Sequence, residues 1–351
     1  MHSAVPFNTF EDTYDITTGF VGLNNIYVYR PGSWADYLFS GTDGNNTIYG
    51  GHGDDVAYGE GGNDTVSGGY GYNELFGDDG IDTLNYEDFG LNSSYRPPVG
   101  GLGVEVDLDT GLTRDGLAMS TAKSLNGNLL LRDEAYSFEN VTGSSFADTV
   151  YGNALSNDFE GGNGNDILSG AGGSDFIEGG EGSDDIYGGS GDDDLLGDII
   201  SNGTVGGDDY ISAGNGNDYV NGGRGYDDIY GGIGSDSLYG GTQGDRFGYR
   251  SIAESTTALS GRDVIRDFIK GSDYIDLTAI DANGLTSGTN NVFDLIFTDT
   301  FNNVAGELRY RLGANGAQFT VIEGDTNGNG IADFAITVLG RHFFAFGDFE
   351  L

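Results

Sequence analysis

From Gly143 to Leu196 the chain repeats one nine-residue phrase six times: Gly, Gly, any, Gly, any, Asp, any, large apolar, any. The blocks include GNALSNDFE, GGNGNDILS and GAGGSDFIE, and GGEGSDDIYGGSGDDDLL from Gly179 to Leu196 shows two in succession. A seven-residue interruption, GDIISNG at 197–203, comes next; the register resumes at Thr204 and holds for five more blocks to Gly248. Five earlier blocks, from GTDGNNTIY at Gly41 to GDDGIDTLN ending at Asn85, bring the total to sixteen. Self-similarity at a fixed period is the mark of a repeat architecture, and it decides the fold before any local reading does.

Two places in the block keep their chemistry. The sixth is Asp55, Asp64 and Asp82 in the first array, then Asp148, Asp166, Asp175, Asp184, Asp193, Asp209, Asp218, Asp227, Asp236 and Asp245 in the second. Asn46, Asn73 and Asn157 replace Asp in three blocks. The eighth is apolar, as in Val150, Phe159, Leu168, Ile177, Ile186, Leu195, Ile211, Val220, Ile229, Leu238 and Phe247, with Ala57 a smaller exception in the first array. One large aliphatic in nine is too little for an ordinary core, so cohesion must come partly from elsewhere.

The last three places suit a very short strand, because strand side chains alternate between faces. The GGxGxD portion reads as a turn whose glycines permit positive φ. Two blocks then make one coil of eighteen residues, and coils stack at a strand spacing of roughly 4.8 Å. Turns from blocks n and n+2 lie one above the other and present stacked carboxylates and carbonyls, an all-oxygen cage that suits Ca²⁺.

Charge agrees. The chain carries 14 Lys and Arg against 56 Asp and Glu, a formal charge of −42 over 351 residues. Such self-repulsion opposes compaction unless cations neutralise it, and it argues against nucleic acid or an anionic membrane as partner. There is no cysteine, so no disulfide supports the fold. No apolar run approaches membrane-spanning length, and the N-terminus lacks the basic and apolar regions of a secretory signal.

These blocks resemble the RTX nonapeptide repeats of secreted bacterial proteins. The resemblance implies parallel β-rolls with Ca²⁺ held by the sixth-place Asp side chains and by carbonyls of turn glycines, among them Gly162, Gly164, Gly180, Gly182, Gly189, Gly191, Gly223, Gly225, Gly232 and Gly234. The three Asn replacements should weaken their cages, and Leu196 sets an apolar side chain on an outer face. The segment 86–142, with VEVDL at 104–108 and YSFENVTGSSFADTVYGN from Tyr136, resembles the connecting phrase that precedes an RTX array. It reads as a small β insert that caps one roll and starts the next.

After Gly248 the glycine density falls, and short apolar runs such as VFDLIF, ELRYRL and FAITVL take over. A cap is physically needed there, since an open β-stack exposes strand edges. DVIRDFIKGSDYIDL, GELRY, GDTNGNGIADFAI and the ending GDFEL are similar to the C-terminal domain of serralysin-type proteins. That similarity implies an uncleaved C-terminal signal read by type I secretion machinery, and Asp267 and Asp273 closing the last calcium cage. Asp325, Asn327, Asn329, Gly330 and Asp333 have the spacing of an EF-hand loop start, but the twelfth place is Ile336. A calcium-stabilised turn and a plain polar turn both stay open.

The expected fold is all-β: an N-terminal capping segment (1–40), a first calcium-binding parallel β-roll (41–85), a connecting segment (86–142), a second roll (143–248) and a β-sandwich-like C-terminal cap and secretion domain (249–351). Catalytic readings find no support. The histidines are His2, His52 and His342, without the HExxH zinc pattern, and there is neither a GxSxG elbow nor a cysteine nucleophile. The reading is therefore a non-enzymatic, extracellular calcium-binding protein that folds after export. Two other classes stay open. One is a surface adhesin or S-layer-like protein whose outward tyrosines (Tyr49, Tyr58, Tyr151, Tyr187, Tyr230, Tyr239) bind polysaccharide or cell surface; the bland reading of these tyrosines is strand propensity. The other is the C-terminal part of a larger secreted enzyme. Arg30, Trp34 and Tyr37 read as packing residues at the first edge.

Overall fold

Each pair of blocks makes one turn of a flattened coil in the computed structural model, which describes residues 18–21, 25–27, 36–51, 53–69, 71–87, 104–114, 117–124, 131–198, 206–283 and 291–351. Ile167–Gly172 lies in one sheet and Phe176–Glu181 in the facing sheet. Asp185–Ser190 then returns to the first and pairs in parallel with Ile167–Gly172, Ile167 opposite Asp185. Among the described residues two fifteen-stranded sheets arise in this way.

Between them runs the eighth-place ladder. Ile48, Val66, Leu75 and Leu84, then Val150, Phe159, Leu168, Ile177, Ile186, Leu195, Ile211, Val220, Ile229, Leu238 and Phe247, are all fully buried. Ala57 keeps its rung between Phe39 and Leu75. The core is thus one side chain thick from each sheet, which is what one aliphatic per nine residues allows.

The strands are longer than the three places expected. In the second array most run for six residues, as in Asp158–Asn163, and carry through the glycine pair so that Gly162 lies opposite Gly180. Gly180 (φ 109°) and Gly182 (φ 135°) adopt the left-handed region that L side chains avoid. The extended pairing therefore survives to the third place of the next block, and the turn proper is short.

The interruption also sits elsewhere than expected. Gly197 donates its amide to the Asn221 carbonyl and accepts from Gly180, at 2.9 Å each, so it holds the first place of the block that contains Asp209. The register is left after Asp198 and regained at Gly206. The seven extra residues are 199–205, two positions later than 197–203, between the second and third places of the block.

The two arrays share one pair of sheets. In one, Thr83–Asn85, Asn140–Thr142 and Asp158–Asn163 follow each other in parallel. In the other, Leu131–Tyr136, Leu117–Ser124 and Val104–Arg114 form an antiparallel ribbon, spliced between Gly71–Phe76 and Thr149–Tyr151 by parallel pairings on both sides. At the N-terminus Thr18–Val21 and Asn25–Tyr27 add strands to the two sheets. Tyr37 is buried against Phe39, while Arg30 and Trp34 lie outside the described residues.

Beyond Gly248 the coil continues. Val264–Ile265 and Tyr274–Asp276 stack in parallel on the strands of Leu238 and Phe247. Phe334–Leu339 joins Val264–Ile265 and starts an antiparallel meander with Phe319–Asp325 and Glu307–Leu312. Phe349–Glu350 covers the other sheet at Tyr274–Asp276. The cap is thus a continuation of the two facing sheets that covers their last coil.

Candidate metal centre

The sixth-place residues form two columns along the edges of the roll. One carries Asp148, Asp166, Asp184, Asp209, Asp227, Asp245 and Asp273; the other carries Asn157, Asp175, Asp193, Asp218, Asp236 and Asp263. Each rung repeats one contact: Oδ1 accepts the backbone amide of the sixth-place residue one coil earlier, at 2.7–3.2 Å. In the first array Asn46 donates its amide to Asp64, Asp64 to Asp82, and Asp55 to Asn73. Asp55 accepts the amide of Tyr37 at 2.8 Å.

The second carboxylate oxygen is left over in most rungs. The Oδ2 atoms of Asp64, Asp82, Asp166, Asp175, Asp184, Asp193, Asp209, Asp218, Asp227, Asp236, Asp245 and Asp263 are buried and have no hydrogen-bond partner. Buried carboxylates without a partner are costly. Accordingly, burial pushes Asp64 and Asp175 up to about 6 and Asp82 to about 7. Asp166, Asp184, Asp218 and Asp245 rise to about 7, Asp227 to about 8 and Asp209 to about 9. The donated amides pull the other way, and neighbouring carboxylates add to the rise.

The space beside Oδ2 is kept open by the first glycine of the same block. A Cβ built on Gly161 would run into Asp166 Oδ2 and the carbonyl oxygen of Gly179; one on Gly179 would run into Asp184 Oδ2 and the Gly197 carbonyl. Gly170 and Gly188 repeat the arrangement with Asp175 and Asp193. A carboxylate oxygen, a carbonyl oxygen and the room a methyl group would fill make a small all-oxygen cradle. Among the described residues no three acidic or imidazole side chains meet in one cluster, so further donors must come from the backbone. That donor set fits a hard cation such as Ca²⁺.

The second- and fourth-place glycines named from the sequence lie next to these cradles. The carbonyls of Gly162 and Gly164 point along the axis at Gly180 and Gly182, those of Gly189 and Gly191 at Gly214 and Gly216, and that of Gly223 at Gly241. A Cβ at Gly225 or Gly234 would meet the carbonyl of Gly207 or Gly216, and Gly232 faces that of Gly214. The first-place glycines, which approach Oδ2 most directly, escaped the sequence reading. Their recurrence at the first place, broken in the second array at Ala213, was the available signal.

Several acids are met by the chain itself. Asp148 Oδ2 accepts the Ser144 amide at 2.6 Å, and Asp273 Oδ2 accepts that of Ile269 at 2.6 Å. Both oxygens of Asp267 are taken, by the amides of Gly240 and Gly241 at 2.9 Å each. The rung that follows Asp236 is Asp263, a residue that sequence reasoning missed. Glu139, also missed, accepts the Asp82 amide at 3.0 Å, and its carbonyl accepts from Asn157 Nδ2 at 2.6 Å. In the 325–333 loop, Asp325 accepts the amides of Gly328 and Gly330 at 2.7 Å. Asp333 accepts from Thr326, and Asn327 and Asn329 accept the amides of Asn329 and Ile331.

Of the outward tyrosines, Tyr151 and Tyr187 are exposed and Tyr230 is buried beneath the Arg250 guanidinium, 3.8 Å from the ring centroid. Tyr58 stacks on Phe76, and Tyr239 packs at 5.3 Å against Tyr219. Tyr49 is half-buried. His342 Nε2 lies 2.7 Å from the Leu339 carbonyl; His2 and His52 lie outside the described residues.

The repeat columns and their continuation into the cap agree with a family match. The Peptidase M10 serralysin C terminal model covers residues 40–349. The chain belongs to the serralysin C-terminal family. It is 37% identical over 97 residues to Metalloprotease AprA of Pseudomonas entomophila (strain L48), a stretch that is 27% of this chain and 18% of that protein. The match therefore spans less than a fifth of this relative's length. Among solved structures, the AlgE6R2 subunit of the Azotobacter vinelandii mannuronan C5-epimerase is 22% identical, with 48% of this chain and 91% of that one covered at a TM-score of 0.33. The AlgE6R3 subunit is 21% identical, with 53% and 80% covered at a TM-score of 0.24. No helix among the described residues is long and apolar enough to cross a membrane.

Proposed function

We propose that this serralysin-type RTX chain is a non-enzymatic calcium-binding protein that folds outside the cell after type I export. The observation that carries the reading is the twofold column of buried Oδ2 atoms without partners, most of them beside a first-place glycine. Calcium, when bound, supplies the positive charge those columns lack. The chain's own residues do the rest. Sixth-place carboxylates orient through the amides of the preceding coil, first-place glycines leave the room, and turn carbonyls add oxygen. At low cytosolic calcium, a charge of −42 and unpartnered acids favour an open chain suited to a secretion channel. Extracellular calcium modules work at roughly 10⁻⁴–10⁻³ M, and binding to the folded state alone adds stability by mass action.

Far-UV circular dichroism during a calcium titration, with magnesium as control, tests this. A cooperative coil-to-β transition specific to calcium is expected; a chain already folded in chelator at neutral pH would overturn the proposal. The partial match to a metalloprotease favours a second reading, in which the chain is the C-terminal part of a larger secreted enzyme. Mass spectrometry of the secreted native protein would decide it by its length.

A further inference from the structure

The outward face of one sheet carries charges of opposite sign at its two ends. Nine neighbouring strands make up this face, from Asp158–Asn163 through Ser237–Thr242 in the middle to Glu307–Leu312. At the first end Asp158, Glu160, Glu178 and Asp194 alternate with the buried Phe159, Ile177 and Leu195 and so lie on the outer side. Glu160 stands directly opposite Glu178, and like charges so placed are destabilising. Burial raises both carboxyls, and acidic neighbours raise them further.

The other end is basic. Arg309 and Arg311 alternate with the buried Leu308 and Tyr310 and share Glu323, which stands opposite Arg309 on the next strand. Arg262 lies near Glu323 and Arg311, and Arg266 donates to Ser237 Oγ at 2.8 Å. Glu307, on the strand of the two arginines, accepts from Asn302. Four of the 14 cationic side chains of a chain with charge −42 are thus gathered at one end of one face. Between the ends the surface is less polar. Leu196, the outward aliphatic that departs from the repeat pattern, follows Glu178 in register. Tyr219 and Tyr239 pack at 5.3 Å, and Leu339 is exposed beyond them.

We propose that this face is a self-complementary interface through which two copies of the chain associate face to face, with their coil axes antiparallel. A two-fold axis between the faces, parallel to strand Ser237–Thr242, exchanges the first strand with the ninth. By register, Asp158 then meets the partner's Arg311, Leu196 meets the partner's Leu339, and Tyr239 meets its own counterpart. The acidic stack gains cations, and the outward leucines are covered. Nine strands at ~4.8 Å spacing and up to about 20 Å long present roughly 700 Å² per copy. A standard interface uses about 800 Å² per partner, and an isologous contact closes at two copies.

The test is sedimentation velocity of the full-length chain in saturating calcium over a range of concentrations. A reversible dimer is expected. Asp158→Arg and Arg311→Glu should each weaken it about tenfold or more. The two changes made together should restore it, because each new side chain faces the other across the two-fold. Leu196→Arg should weaken it with no rescue by either charge change. All three positions lie on the surface, and an unchanged circular dichroism spectrum verifies the fold of each variant. A chain that stays monomeric at every concentration would overturn the proposal. So would a dimer that the charge changes leave unaltered, a double variant no tighter than the single ones, or an open-ended series of larger species. The calcium reading of the repeats survives each of these outcomes.

Discussion

The Asp184 amide donates to Asp209 Oδ1 at 2.8 Å across 25 residues, and the Asp166 amide makes the same 2.8 Å contact to Asp184 across 18. The rung is thus indifferent to the seven extra residues between Asp198 and Gly206. Deleting 199–205 should leave the calcium-induced circular dichroism transition in place. Loop-closure entropy changes by only about 0.6 kcal/mol per doubling of length, so Tm in calcium should hold or rise slightly. A collapse of the transition would show that residues 199–205 carry part of the fold.

A methyl group at Gly179 should disturb its cradle, although Ala213 holds the first place in the block of Asp218. Gly179→Ala sets a Cβ between Asp184 Oδ2 and the Gly197 carbonyl. Overpacking of this kind costs about 1–3 kcal/mol, and the cradle would be lost as well. At Gly172 the nearest atom to an added Cβ is Ala154 Cα at 3.7 Å, so Gly172→Ala is the control. Calcium titrations should show a raised midpoint for the first variant and an unchanged one for the second.

The nine-residue period made both constant places legible, because sixth-place acid and eighth-place aliphatic recur with little variation. Strand length was not legible, since the paired glycines that suggest a turn are here extended partners across coils. The continuation past Gly248 was hidden for a related reason. ALSGRDVIR at 258–266 and FIKGSDYID at 268–276 keep the fourth-place Gly, sixth-place Asp and eighth-place Ile, but Ala258–Leu259 and Phe268–Ile269 replace the glycine pair. Asp263 therefore passed unnoticed, while Asp267, one place beyond the block, attracted attention by its family phrase. The ribbon at 104–136 depends on pairing across the sheet, which no local pattern announces.

Acids should differ according to whether the chain already satisfies them. Asp184→Asn or Asp227→Asn removes a charge from an open cradle, and ligand charge tunes calcium affinity over decades. The calcium midpoint should rise by about tenfold. Asp267→Asn alters a carboxylate that accepts two glycine amides, so it should lower Tm in calcium without changing the number of ions bound. Isothermal titration calorimetry separates the two effects; loss of an ion in Asp267→Asn would return that residue to the set of ligands.

Acid should stabilise the calcium-free roll, contrary to the usual behaviour of proteins. In the unfolded chain the sixth-place carboxyls titrate near 3.8, whereas in the roll burial raises Asp166 and Asp184 to about 7 and Asp227 to about 8. Between those values the folded state holds protons that the unfolded state has released, so stability falls as pH rises through the window. Lowering the pH from about 8 to about 5 in metal-free buffer should therefore increase β-structure by circular dichroism. In calcium the sign reverses, because protons compete for the same Oδ2 atoms: the midpoint concentration should climb over the same interval. A calcium midpoint independent of pH would mean that the buried carboxylates do not bind the ion.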